Sequence, residues 1–178
     1  MPIVQTLVLT VSGDDRAGLV SALAEAVSGN GGNWERSQLV ELGGKFAGIV
    51  LVTVDEASAP ALRAALDGLS GLLAIDVDRG EAPEAAGEDG STERMVRLDL
   101  LGNDHPGIVS AISGVLHRHG LNVEELTTVT RDAPMAGGQL FEAHLVARVP
   151  EGGDVASVQT DLEQLASEIL VDVTVELD

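Results

Sequence analysis

Two decapeptides hold the residues best suited to grip a small zwitterion: GDDRAGLVSA from Gly13 and GNDHPGIVSA from Gly102. In each, a carboxylate (Asp15, Asp104) stands just ahead of an apolar run of helical period, and a glycine (Gly18, Gly107) follows it. Such a carboxylate has two uses. It can cap the free N–H groups of a starting helix, or it can receive a ligand's ammonium. The glycine can let helix and sheet pack tightly, or let a ligand carboxylate reach the N–H groups at the positive end of the helix dipole. Downstream of each loop stands an asparagine, Asn33 or Asn122. Its amide can donate to a carboxylate and accept from an ammonium, or simply serve a turn. Asn33 and Asn122 are expected to open a strand beside the loop. Trp34 and Val123 follow them and join the candidate lining, although a lone Trp equally suits packing in a sheet. The second loop has Pro106 where the first has Ala17. Proline at a first-turn position pre-organises a helix start, so the second loop is expected to be the better site.

Other chemistry is poorly supported. His105 reads as a solvated loop residue, His117 and His119 do not share a helical face, and His144 has no partner visible in the sequence. There is no nucleophile elbow, phosphate loop, zinc spacing or Ser-His-Asp pattern. No catalytic residue, metal or cofactor is therefore expected. The net charge of −19 argues against direct binding of nucleic acid, whose phosphates call for clustered Lys and Arg. The charge is −5 over residues 1–80, −5 over 81–93 and −9 over 94–178. Cysteine is absent, which removes disulfides and thiolate metal sites. No apolar run reaches the roughly 18 residues of a membrane span, and the first residues lack a basic leader. The expected location is the cytoplasm.

The loops belong to a longer repeat. At an offset of 89 residues, Asp15 aligns with Asp104, Gly18 with Gly107, Gly31 with Gly120, Asn33 with Asn122 and Glu35 with Glu124. Phe46 aligns with Phe141 at an offset of 95, so the second copy gained residues, and RDAPMAGG (131–138) is the place richest in turn formers. Each copy reads strand, helix, strand, strand, helix, strand. Leu7, Leu9 and Val11 alternate as on a half-buried strand, as do Val96, Leu98 and Leu100. Leu19, Val20, Leu23 and Val27, then Ile108, Val109, Ile112, Val115 and Leu116, mark one face of a helix. Gly31 and Gly120 are expected to end these helices, and Gly43-Gly44 to make a hairpin turn. The domains are therefore placed at 1–80 and 94–178, with 81–93 a flexible, acidic linker. The fold class is α+β: two tandem ferredoxin-like units, each a four-stranded antiparallel sheet with two helices on one face. Small units with open edges are expected to cover one another.

Strand, then G-[DN]-D-x-[AP]-G-[LI]-V, then helix, then G-x-N at the next strand, resembles the ACT domain, an amino-acid-binding regulatory module. Two such domains, with NWERSQLVELGGKF from Asn33, are similar to the glycine cleavage system transcriptional repressor family. Ala17 departs from the usual proline. The resemblance implies a regulator that binds a small amino acid, glycine or serine, through Asp15, Asn33, Asp104 and Asn122. It implies action through a protein partner, a transcription factor among the candidates, with no direct contact to DNA and none to a membrane; a homo-oligomer is a further possible assembly. The competing reading is a ligand-independent interaction module.

Overall fold

The computed structural model describes residues 3–81, 94–133 and 137–177. The chain divides into two compact units, residues 1–88 and 89–178. The first runs β1 (Val4–Asp14), α1 (Leu19–Gly29), β2 (Gly32–Leu42), β3 (Lys45–Asp55), α2 (Ala59–Asp67), β4 (Ala74–Arg79). The second runs β5 (Met95–Asn103), α3 (Ile108–Arg118), β6 (Asn122–Asp132), β7 (Gln139–Arg148), α4 (Val155–Ile169), β8 (Val171–Leu177). The strand orders are β2-β3-β1-β4 and β6-β7-β5-β8, with every pairing antiparallel. This is the α+β, tandem four-stranded fold expected from the two patterns. The proposed linker falls on residues outside the described ones except Glu81, as does the Pro134–Ala136 part of the expected insertion.

The alternating residues build the cores. Leu7, Leu9 and Val11 of β1 are buried with Leu23 and Val27 of α1 and Leu62 and Leu66 of α2. Val96, Leu98 and Leu100 of β5 are buried with Ile112 and Val115 of α3 and Val158 and Leu162 of α4. The alternate residues of each central strand and the buried stripes of both helices share one core, so both helices lie on one sheet face; Val20 and Val109 fall outside those stripes, at 46% and 40% exposed. Gly43 and Gly44 both have positive φ, 61° and 78°, as the two-residue turn between β2 and β3 requires. The edge strand β6 is exposed along all eleven of its residues, which is why hydrophobic alternation is weak there.

One irregularity recurs in both units. The pairing of β2 with β3 slips between Trp34 and Arg36, and that of β6 with β7 slips between Val123 and Glu125. Glu35 and Glu124 are thus the extra residues of two equivalent β-bulges.

Candidate functional site

The two loops adopt one geometry. Both helices begin later than the loop carboxylates suggest: the N-caps are Gly18 and Gly107, at φ 92° and 97°, and neither helix start has a side-chain cap. The capping role considered for Asp15 and Asp104 is therefore corrected. Pro106 lies before the cap, not in the first turn, so what it restrains is the loop. A Cβ at Gly18 or Gly107 would meet nothing within 4 Å, so glycine is required by the left-handed φ and not by tight packing. The first intrahelical bonds run from Ala22 N–H to Gly18 C=O and from Ala111 N–H to Gly107 C=O, both 2.9 Å. The N–H groups of Leu19–Ser21 and Ile108–Ser110 precede them and have no intrahelical acceptor. The loops are pinned by Asp15 N–H to Gly44 C=O (3.0 Å) and Asp104 N–H to Gln139 C=O (2.8 Å). The side chains of Asp15 and Asp104 are exposed and, among the described residues, carry no hydrogen bond or ion pair.

The asparagines lie elsewhere. β1 and β2 are both antiparallel to β3, hence parallel to each other. Asp14 faces Lys45 at one end of β3, while Asn33 faces Thr53 near the other. At a rise of ~3.3 Å per residue those positions are roughly 26 Å apart. Asp104 is bonded to Gln139 and Asn122 faces Arg148, again opposite ends of one strand. The expectation that each asparagine sits beside its own loop is therefore wrong within a unit, because the intervening helix returns the chain to the far end of the sheet.

Each asparagine is instead tied to its bulge. Asn33 Nδ2 donates to Glu35 Oε1 at 2.8 Å, and Thr53 Oγ1 donates to the same oxygen at 2.6 Å. These bonds, Thr53's first, hold the Glu35 carboxyl below its ordinary range. Asn122 Nδ2 donates to Glu124 Oε1 at 2.8 Å, and Arg148 lies 3.1 Å from that carboxylate. Sequence reasoning missed both glutamates as a group, although their shared place in the repeat was the available signal. Trp34 is half-buried and packs on the first core beside Val52; Val123 is more exposed.

The histidines are also better partnered than their sequence context suggests. His144 pairs with Asp99 directly across β5 and β7, and His119 lies 2.8 Å from Asp161. His105 is not freely solvated: Nδ1 is 3.1 Å from the Pro106 carbonyl and Nε2 3.0 Å from the Ile169 carbonyl. Two acceptors ask the ring for two protons, so the bond to Pro106, then that to Ile169, raises its pKa above the ordinary 6.5, with Asp104 adding a smaller attraction. A raised folded pKa gives stability that is complete below the unfolded value and is lost as pH rises through the folded one. Denaturant midpoints should therefore fall as pH climbs from below 6.5, and His105→Asn should flatten that dependence. An identical pH profile in the variant would contradict this role.

Comparison with known proteins places the chain. Residues 5–79 and 95–176 each match the ACT domain. The chain is 28% identical over 170 residues to the glycine cleavage system transcriptional repressor of Escherichia coli (strain K12), covering 92% of this chain and 85% of that one. The Shigella flexneri protein of the same name gives the same figures. A solved structure of an unknown protein from Galdieria sulphuraria superposes with a TM-score of 0.86 at 31% identity, over 99% of each chain. The Escherichia coli and Shigella flexneri proteins are both named as transcriptional repressors. With both halves matched and a four-stranded antiparallel sheet in each, this chain is a tandem member of the ACT domain family.

Proposed function

We propose that this protein is a regulator that senses a small amino acid, glycine or serine first, and acts through a partner protein in the transcriptional control of glycine cleavage. The observation that carries the reading is the twin loop: a carboxylate with no hydrogen bond or ion pair among the described residues, ahead of a helix start whose first N–H groups have no intrahelical acceptor, in both units. The N–H groups suit an α-carboxylate and Asp104 or Asp15 suits the ammonium. Gly18, Pro106 and Gly107 shape that approach. Asn33, Trp34, Asn122 and Val123 form a second group at the far end of each sheet, and their contribution to ligand binding is a separate proposal. The aligned repressors support the regulatory role. Among the described residues no helix is long and apolar enough to cross a membrane; the proposed place of action is the cytoplasm, in keeping with the transcriptional repressors the chain resembles.

Titration with glycine and serine, followed on backbone amides, tests the reading. Saturable shifts at Gly107–Ser110, and weaker ones at Gly18–Ser21, are expected. Absence of any saturable loop response to either amino acid would favour the ligand-independent interaction module instead.

A further inference from the structure

The two units differ where their first strands end. In the first unit an open cleft of about 540 Å³ lies there, between the end of β1, the start of β3 and the connection from α2 to β4. Ser12, Asp14, Arg16, Lys45, Ser70 and Leu72 are among its lining residues. Its volume lies within the range of small-molecule sites, roughly 300–1,000 Å³. Lys45 is the only lysine of a chain whose net charge is −19. It pairs with Asp14, whose carboxyl it holds below the usual range. Arg16 makes no hydrogen bond among the described residues, and its guanidinium adds a smaller attraction on Asp14 after that of Lys45. The charged residues of the lining thus leave a surplus of one positive charge in a strongly acidic molecule.

The second unit removes each of these features at the same register. Asp14 faces Lys45, whereas Asn103 faces Leu140; Ser12 faces Ala47, whereas Leu101 faces Glu142. Arg16 is replaced by His105, whose ring reaches the Ile169 carbonyl across that corner. The connection differs as well. Six residues, 68–73, separate α2 from β4, but only Leu170 separates α4 from β8. The longer connection contributes Ser70 and Leu72 to the lining of the first cleft.

We propose that the cleft of the first unit is a binding site for a small, singly charged organic carboxylate, held by Arg16 and Lys45. The charge balance selects the class. A dicarboxylate would leave an uncompensated negative charge beside Asp14. An amino acid would bring its ammonium toward two cations. A hydroxyl or carbonyl next to the carboxylate can instead meet Ser12 and Ser70. Asp15 and Asp104 are not among its lining residues, but Asp14 and Arg16 flank Asp15 in the chain, so the two readings are separated by their ligands and by the signals that report them.

The sole lysine makes the test direct. Reductive ¹³C-methylation preserves its charge and gives Lys45 one resolved signal besides that of the chain's amino terminus. Glycolate and lactate should shift the Lys45 signal saturably. Arg16→Ala should weaken this by about tenfold or more, the loss of one charge-assisted contact, with Arg16→Gln as the second variant should the first not fold. Asp104→Ala should leave it unchanged. Glycine and succinate should bind at least several-fold more weakly. The proposal is overturned if no carboxylate gives a saturable shift, if equimolar chloride reproduces it, if glycine matches glycolate, or if both Arg16 variants bind normally. Glycolate binding without any amino-acid response at the loops would sustain this site while removing the proposed amino-acid sensor.

Discussion

Asp104→Ala is expected to weaken binding of glycine or serine by about 10- to 150-fold, the equivalent of losing one charge-assisted hydrogen bond of roughly 1.5–3 kcal/mol. The Asp104 side chain makes no hydrogen bond or ion pair among the described residues and only a minor attraction on His105, so its removal should cost little stability and act mainly on the ligand. Its backbone N–H stays bonded to Gln139, which an alanine preserves. The second loop has the more restrained approach: Pro106 fixes one φ just before the cap, and His105 ties the loop to the end of α4. Asp15→Ala should therefore have the smaller effect, since the first loop carries Ala17 and no such tie. Calorimetric titration of the two variants beside the parent checks the order. If an amino acid binds and Asp104→Ala keeps its affinity within about twofold of the parent, the ammonium is received elsewhere.

Leu98→Ala should lower the unfolding free energy by about 2–5 kcal/mol, a large part of the roughly 5–15 kcal/mol of an ordinary domain. Leu98 is 1% exposed on the central strand β5, with Leu145 and Val175 as its cross-strand neighbours and α3 and α4 above it. Truncation would leave a void that a strand held between β7 and β8 and covered by two helices cannot collapse into. Leu126→Ala on the exposed edge strand β6, where Leu126 is 41% exposed, should cost less than about 1 kcal/mol. Urea melts of the two variants separate the cases, and equal losses would contradict the assignment of β5 to the core.

The fold was legible because its signals are local and repeated. The alternation of Leu7, Leu9 and Val11, repeated in Val96, Leu98 and Leu100, names strands whose inward residues are all buried. The helix-ending glycines and the Gly43-Gly44 turn follow from backbone sterics alone. The site was legible as a set of residues but not as a place. Asp15 and Asn33 are close in sequence, yet a helix between parallel strands carries the second to the other end of the sheet. That separation is implied by the topology once two strands are known to be parallel. The start of α1 was misjudged because a carboxylate ahead of an apolar run looks like a cap, while Gly18 in left-handed conformation does that work. Partnerships such as His144 with Asp99 depend on cross-strand register over 45 residues, which no local pattern reports. The bulges at Glu35 and Glu124 sit near the starts of edge strands whose exposure erases the alternation that would reveal a slip.

The account turns on whether the intact chain binds a small amino acid at all. Calorimetric titration of the full protein with glycine, serine and then the remaining small amino acids measures this most directly. The predicted result is a saturable heat for glycine or serine that Asp104→Ala reduces at least tenfold. Heats indistinguishable from dilution for every amino acid, on protein whose amide spectrum is that of the folded chain, would contradict it.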